Sequence, residues 1–554
     1  MQLSRRDVLK LGLLSSAALY LPIERVARTK DFDSLAKLPS PFTHPFVRPP
    51  DLDLRAAANG GNAVTRVEMV MRQFDAPVLG PAPWPQTKLW AYTYTKDGRT
   101  MVNPTIHVDK GQAVEIVHHN ALPATHPQHG YESWTSVHLH GSASLPQYDG
   151  YANDVTKPGQ AKVYRYPNAQ GARTLWYHDH GVHRTAKNAY SGLAGQYHLH
   201  DAMEDASGIP TGQFEAPLIL RDALFNRDGS LMWDDNDQSS LMGDVILVNG
   251  VPWPVMAVQK RRYRFRILNA SISRSFNLSL SDSRAKMWVI ATDGGFMPKP
   301  VQVSSIRVGM AERYEVIVDF TGCLDNAQVT LRSSEVKNNV DYLHTNKIMK
   351  FIVGVGKASD LTRNEIPTSF YMPVTPRPGA VYMGPDEVMG LTANMAVKRR
   401  TLEFKKSDST GEWTIDGKTW NDIVASDYED VVADPEPNSI EVWDFKNNSG
   451  GWFHPVHVHL VDFRILSRNG GAPRPYEQGP KDVAYVGEGE TVRVVMKFGP
   501  HEGRYMIHCH NLVHEDHDMM HQFAVGWKPG DPDPNDPVIA SPPQVDNLPR
   551  PPGL

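Results

Sequence analysis

The stretch HCHNLVHEDHDMM, residues 508–520, carries the pattern that decides the fold of this chain. It places Cys509, one of two cysteines, between His508 and His510, and it continues to His514 and a pair of methionines. Side chains two residues apart on a β-strand share a face, whereas the residue between them points to the opposite face. An extended conformation therefore predicts that the two imidazoles serve one site and the thiol another, which argues against a disulfide.

Histidine pairs with the spacing HxH recur near both ends of the chain. VHLHG (137–141) and YHDHG (177–181) lie in the first part, and HPVHVHL (454–460) and IHCHN (507–511) lie in the last. With 23 histidines in 554 residues, chance gives about one such pair, whereas five occur. The four matched pairs predict a duplicated β-domain with histidines on one face. The fifth pair, at 198–200, has no counterpart in the last part and is interpreted as structural.

The matched pairs and Cys509 point to metal chemistry. Two imidazoles about 6–7 Å apart on a strand can serve adjacent ions, so eight histidines from two domains can enclose a metal cluster. Imidazoles alone suit copper, zinc, iron or nickel. Cys509 with His454, His514 and Met519 would give two imidazoles, a thiolate and a weak axial thioether, which is typical of blue-copper electron-transfer sites. A zinc site would call for more cysteines.

Composition and strand patterns predict an all-β protein built of several domains. The 42 glycines and 43 prolines suit a chain with many turns, and the net charge of −5 gives no indication of a nucleic-acid partner. KRRYRFRILN (260–269) alternates apolar residues with arginines, as the strands of a half-buried sheet do. We predict β-sandwich domains at 45–205, 212–356 and 397–540, with a Pro-rich linker at 357–396.

The N-terminal segment, residues 1–30, predicts export. Arg5 and Arg6 precede an apolar run of about 14 residues, which is short for a membrane span but fits a signal peptide. A short amphipathic helix is the alternative. We expect a twin-arginine export signal, a periplasmic or extracellular location, and no stable membrane insertion.

Taken together, these motifs resemble those of the multicopper oxidases. HLHG, HDHG, HPVHVH and HCHNLVHEDHDMM occur in the order found in that family, and the resemblance covers nearly the whole chain after the signal segment. GWFHPVHVHLVDF (451–463) is most similar to the bilirubin oxidases, with the spore-coat laccases and phenoxazinone synthase as near relatives. The resemblance implies three cupredoxin-like Greek-key β-sandwich domains and four copper ions.

Carried over position by position, the resemblance implies one type 1, one type 2 and two type 3 copper ions. The type 1 ion would be held by His454, Cys509 and His514, with Met519 axial. The type 2 ion would be held by His138 and His457. One type 3 ion would be held by His140, His178 and His510, and the other by His180, His459 and His508.

Further residues acquire expected roles from the same resemblance. Asp149 and Glu515 match acids that assist the protonation of oxygen in relatives, although an Asp before Gly also suits a turn. Cys509 would link the two metal sites. Asp179 stands in HDH where Cys509 stands in HCH, so the first domain would lack a blue site. Trp452 resembles a residue beside the type 1 site of bilirubin oxidases, with buried packing as the alternative.

The resemblance implies an oxidase that takes single electrons from a phenolic, aminophenolic or tetrapyrrole donor and reduces O₂ to water. Its expected partners are that small donor, O₂ and the twin-arginine export machinery. Three alternatives stay open: a cuprous-ion oxidase for copper tolerance, an electron-transfer cupredoxin without oxidase activity, and a scaffold without copper. The cuprous oxidases carry a Met-rich insert, whereas the methionines between 372 and 395 are scattered.

Overall fold

Three successive parts of the chain each form two β-sheets that share a core. The computed structural model describes residues 33–55, 65–377 and 379–546, so the predicted export segment lies outside the described residues. In these ranges no helix has the length and apolar character needed to cross a bilayer. The predicted all-β fold is confirmed.

The first part forms a five-stranded sheet, β1-β5-β10-β9-β7, and a six-stranded sheet that contains β8-β6-β2-β3-β4. Leu52, Ile106 and Val67 come from both sheets and lie in one buried cluster. The strands are β1 (Asp51–Asp53), β2 (Thr65–Ala76), β3 (Thr87–Lys96), β4 (Arg99–Val102), β5 (Thr105–Asp109), β6 (Val114–Asn120), β7 (Val137–His140), β8 (Gln160–Tyr166), β9 (Arg173–Asp179) and β10 (Ala194–His200).

The second part forms sheets of seven strands, β13-β12-β11-β15-β20-β17-β18, and five strands, β14-β22-β21-β16-β19. The strands are β11 (Glu215–Ala223), β12 (Val245–Val248), β13 (Val251–Pro252), β14 (Val255–Lys260), β15 (Arg262–Asn269), β16 (Phe276–Leu280), β17 (Lys286–Thr292), β18 (Gly295–Val303), β19 (Ser305–Val308), β20 (Arg313–Asp319), β21 (Gln328–Ser334) and β22 (Lys347–Lys357).

The third part forms sheets of five strands, β24-β23-β25-β29-β27, and four strands, β28-β26-β30-β31, while β32 returns to pair with β8. The strands are β23 (Lys398–Lys406), β24 (Trp413–Ile415), β25 (Ile440–Asn447), β26 (His454–Val458), β27 (Phe463–Arg468), β28 (Val483–Val486), β29 (Thr491–Lys497), β30 (Gly503–Cys509), β31 (Met520–Val525) and β32 (Gln544–Val545). The short helices are α1 (Thr185–Ser191), α2 (Ala202–Ala206), α3 (Pro385–Gly390), α4 (Trp420–Ala425) and α5 (Leu512–Asp516).

Strand β15 differs from the half-buried strand that its alternation predicts. Arg264 and Arg266 are fully buried on the face expected to meet solvent. Glu204 of α2 lies 2.5 Å from Arg264 and 2.6 Å from Arg266, and Glu315 of β20 lies 2.8 Å from Arg266. These carboxylates compensate the buried guanidinium charges, so the arginine face joins the first part to the second.

Candidate metal centres

Strand register places the four matched HxH pairs in two facing sets. His138 of β7 pairs with His178 of β9, and His457 of β26 pairs with His508 of β30. The two sets meet between the first and third parts of the chain. Nε2 of His138 lies 3.4 Å from Nε2 of His457, and Nε2 of His180 lies 3.1 Å from Nε2 of His508. All eight imidazoles are at most 1% exposed, so they form one buried cluster.

In most rings of the cluster, the nitrogen that faces outward contacts an oxygen atom, and this contact orients the ring. Nδ1 of His178 donates to the carbonyl of Asp179 at 2.7 Å, and Nδ1 of His457 donates to the carbonyl of Asp482 at 2.8 Å. Nδ1 of His459 donates to the Asp149 carboxylate at 2.7 Å. Such bonds fix the tautomer and leave the opposite nitrogen as a lone pair, which is the usual arrangement around metal-binding histidines.

The inward nitrogens fit metal ions. Nε2 of His459 lies 3.2 Å from Nε2 of His508, close enough for both to reach one ion. Nε2 of His178 and both nitrogens of His510 have no hydrogen-bond partner within the described part of the chain. Burial lowers the pKa of His178 to about 3, so its imidazole stays neutral. Lone pairs that face one another in a buried cluster repel unless a cation lies between them.

A second site lies on the other face of β30. Sγ of Cys509 lies 3.2 Å from Nδ1 of His454 and 3.7 Å from Nδ1 of His514. The two Nδ1 atoms are 3.3 Å apart, and these three side chains form a group that could hold one metal ion. Met519 is fully buried, and its backbone carbonyl accepts a hydrogen bond from the amide of Cys509 at 3.1 Å. Cys509 and Cys323 are both free cysteines.

Aromatic side chains enclose this second site. Trp413 of β24 stacks on the ring of His514 with centroids 3.7 Å apart. Trp452 meets the same ring edge-on at 5.4 Å, and it is half-buried. Trp452 therefore lies where the resemblance predicts it, whereas Trp413 was not singled out from the sequence. A Trp on a short strand gives no sequence signal of a metal site.

Two buried carboxylates contact different rings of the histidine cluster. Asp149 bonds His459, and burial raises the pKa of Asp149 well above its ordinary value. Glu515 lies 2.8 Å from Nδ1 of His508 and 3.5 Å from Nδ1 of His180. Desolvation raises the pKa of Glu515, but the two imidazoles outweigh it and lower the value to about 2. Both acids predicted from the sequence are thus placed at the cluster.

Asp179 occupies in β9 the position that Cys509 occupies in β30. Its carboxylate accepts hydrogen bonds from the amide of Ser136 at 2.9 Å, from the Asn188 side chain at 2.9 Å and from the amide of Gly181 at 3.1 Å. These hydrogen bonds hold the Asp179 side chain in place beside the first pair of histidine strands.

His183, which has no role predicted from the sequence, contacts the carbonyl of Asp516 at 3.1 Å.

The sequence missed a buried ion pair that supports the cluster. Asp482, just before β28, accepts a hydrogen bond from Nε2 of His140 at 3.1 Å. Arg313 of β20 donates to the same carboxylate at 2.6 Å through Nη1. The second part of the chain has no HxH pair, but it contributes a guanidinium that holds the Asp482 carboxylate, which in turn bonds His140. The only sequence signal was a charged pair, Lys481 and Asp482, before a short apolar strand.

Comparisons with known proteins agree with this geometry. Family models described as multicopper oxidase match residues 87–204, 188–344 and 396–528. A bilirubin oxidase from Albifimbria verrucaria is 41% identical, covering 71% of this chain and 67% of that protein. A laccase from Bacillus stratosphericus is 34% identical, covering 80% and 91%. The solved structure of a multicopper oxidase from Aquifex aeolicus has a TM-score of 0.75 at 27% identity, covering 88% of this chain and 100% of that one.

An all-β fold with a histidine cluster beside a cysteine–histidine site defines a class of copper oxidoreductases. The chain belongs to the multicopper oxidases, as the resemblance of its motifs predicted. It is therefore a copper-dependent oxidoreductase that uses O₂ as its electron acceptor. A cuprous-ion oxidase or a cupredoxin without activity is not favoured.

Proposed function

We propose that the chain binds four copper ions and oxidises small aromatic or tetrapyrrole donors. One type 1 ion would be held by His454, Cys509 and His514, with Met519 as the axial side chain. The other eight histidines would hold one type 2 ion and two type 3 ions, grouped as the family resemblance implies. The observation that carries the proposal is β30, which puts Cys509 against His454 on one face and His508 against His180 on the other.

Copper bound at the two sites would pass single electrons from the donor to O₂, and four electrons together with four protons would reduce O₂ to two waters. The chain supplies the connection, because Cys509 is covalently adjacent to His508 and His510. The buried histidine cluster excludes bulk water. Asp149 and Glu515 border it in different states. The raised pKa of Asp149 favours a protonated carboxyl that can donate a proton toward the cluster. The lowered pKa of Glu515 keeps a carboxylate that can accept a proton and pass it on.

The donor would approach the loop that covers His454. Ser449 contacts Nε2 of His454 at 2.6 Å and is half-buried, and Gly450 and Gly451 beside it are exposed. Trp452 adds an aromatic face at the same place. A short exposed loop over His454, beside an aromatic ring, suits a flat phenol, aminophenol or tetrapyrrole. Such a donor can give up electrons without entering a deep pocket. The bilirubin oxidase and laccase relatives support this choice.

We further propose that the protein is exported through the twin-arginine route to the periplasm or the outside of the cell. The paired arginines and the apolar run of residues 1–30 support this location.

Metal analysis together with a comparison of donors tests the proposed activity. Four copper ions per chain are expected, whereas one would indicate an electron carrier and none a scaffold. Rates of O₂ uptake would be measured with bilirubin, a phenol, an aminophenol and Cu⁺. Faster turnover of the organic donors is expected; a clear preference for Cu⁺ would overturn the donor class while leaving the copper content intact.

A further inference from the structure

A third group of histidines lies in the first part of the chain, away from both copper sites. His107 of β5 is aligned with His198 of β10, and His200 follows two residues later on the same face. Ring centroids are 4.9 Å apart for His107 and His198, and 5.2 Å apart for His107 and His200. His198 and His200 are 1% and 7% exposed. The pair at 198–200, interpreted from the sequence as structural, thus has a third imidazole beside it.

Each of these rings has one nitrogen directed at a side-chain oxygen. Nε2 of His107 lies 3.2 Å from a carboxylate oxygen of Asp51, and Nδ1 of His200 lies 2.6 Å from a carboxylate oxygen of Glu204. Nε2 of His198 lies 2.8 Å from Oε1 of Gln196. The Gln196 amide nitrogen already donates to a backbone carbonyl at 2.9 Å, so its oxygen must accept from His198. All three of these imidazole nitrogens therefore carry the proton.

The tautomers leave three lone pairs that converge. Nδ1 of His107 lies only 2.9 Å from Nε2 of His200. Nδ1 of His198 is buried and has no hydrogen-bond partner among the described residues. One ligand atom from each ring lies within 4.8 Å of those of the other two.

We propose that His107, His198 and His200 bind one divalent transition-metal ion at a site separate from the copper centres of the oxidase. Two nitrogens 2.9 Å apart can both lie about 2.1 Å from a single ion. Imidazole ligands suit copper, zinc, iron and nickel ions, and among the divalent ions Cu²⁺ is bound most tightly. Three protein ligands leave a fourth position for water. The His107 side chain is 12% exposed and that of Asp51 42%, so an ion can reach the site from solvent.

The site shares a sheet face with the histidine cluster but does not overlap it. His178 pairs with Ala194, and His198 pairs with Thr174 on the same two strands. Four residues along a strand correspond to about 13 Å, so the two sites cannot share an ion. An extra proton is the competing occupant: His107, doubly protonated, would donate both to Asp51 and to His200. Metal content distinguishes the two occupants.

The test uses full-length protein that has been loaded with copper until its blue absorption is constant. This protein is incubated with excess Zn²⁺ and freed of unbound metal, and copper plus zinc per chain is measured by mass spectrometry. The wild type is expected to hold one ion more than His107→Asn and one more than the double variant His198→Asn/His200→Asn. The matched control is His344→Asn, which replaces a half-buried histidine of the second part and should hold as much metal as the wild type. Equal metal content in the wild type and His107→Asn would overturn the proposal.

Crystals of the wild type soaked in Zn²⁺ provide a second measurement that needs no variant. Anomalous scattering at the zinc edge is expected to show a peak among the three rings. Absence of a peak there would support the extra proton and overturn the metal site. Because copper occupancy is measured in the same samples, loss of the ion at this third site can be told apart from failure of the four-copper proposal.

Discussion

Glu515 places a carboxylate oxygen 2.8 Å from Nδ1 of His508, although its neighbour His514 faces the thiol of Cys509. The short helix α5 therefore contacts both metal sites, as β30 does. The two sites are connected three times through the backbone, because Cys509 adjoins both His508 and His510, and His514 adjoins Glu515. Changes at these residues should separate electron input from oxygen chemistry.

Replacing Cys509 with serine should remove the electron-accepting site and leave the cluster in place. A serine hydroxyl is a poor substitute for a thiolate copper ligand, so the blue absorption and the oxidation of organic donors should both be lost. Copper content should fall by one ion per chain. Cys323→Ser is the matched control, because Cys323 is also a buried free cysteine but lies in the second part of the chain. A blue, active Cys509→Ser protein would refute the assignment.

Replacing Glu515 with glutamine should slow oxygen reduction while sparing electron uptake. The amide keeps the shape but cannot transfer a proton as a carboxylate does, and such groups contribute roughly 10²–10⁴-fold to rate. Stopped-flow bleaching of the blue absorption by the donor without O₂ should be unchanged, and its recovery on adding O₂ should slow. Glu412→Gln, on an exposed surface position, should alter neither rate. Equal slowing of both steps would indicate a purely structural role.

The HxH pairs could be predicted from the sequence because their geometry is local. Alternation along β30 is enough to separate Cys509 from His508, whatever the rest of the chain does. The burial of Arg264 and Arg266 was not predicted, because alternation identifies two faces of a strand but not what covers each face. Here carboxylates that come from elsewhere in the chain cover the arginine face. Asp482 was missed for a similar reason, since its role depends on a tertiary contact with Arg313.

That contact leads to a prediction about stability. Asp482 and Arg313 are both buried, and Asp482→Asn removes the negative charge that faces the guanidinium. The free energy of unfolding should therefore fall by about 3 kcal/mol. Since His140 bonds the same carboxylate, copper content of the cluster should also fall, while the blue absorption remains. Thermal unfolding and metal analysis would measure the two effects.

The control for this substitution is Asp75→Asn, which breaks an exposed ion pair with Lys88. Exposed pairs contribute about 0–1 kcal/mol, so its thermal midpoint and copper content should match the wild type. If Asp482→Asn were as stable as Asp75→Asn, the buried pair would not be what holds His140.

Met519 and Met520 are adjacent buried methionines, and only the first is expected to tune the blue site. Met519 lies in the core cluster that contains Cys509, whereas Met520 lies in another cluster with Tyr151 and Met506. An axial thioether donates weakly to copper and stabilises its oxidised form. Met519→Leu should therefore raise the reduction potential of the blue site, measured by potentiometric titration of its absorption.

Met520→Leu makes the same change of side chain one residue away and should leave that potential unchanged. Both substitutions conserve volume and should cost less than about 1.5 kcal/mol, so folding differences cannot account for a shift seen in only one of them. A potential raised equally in both variants would mean that general packing, rather than the axial position, sets it. An unchanged potential in Met519→Leu would remove Met519 from the ligand set and leave His454, Cys509 and His514 as its only side chains.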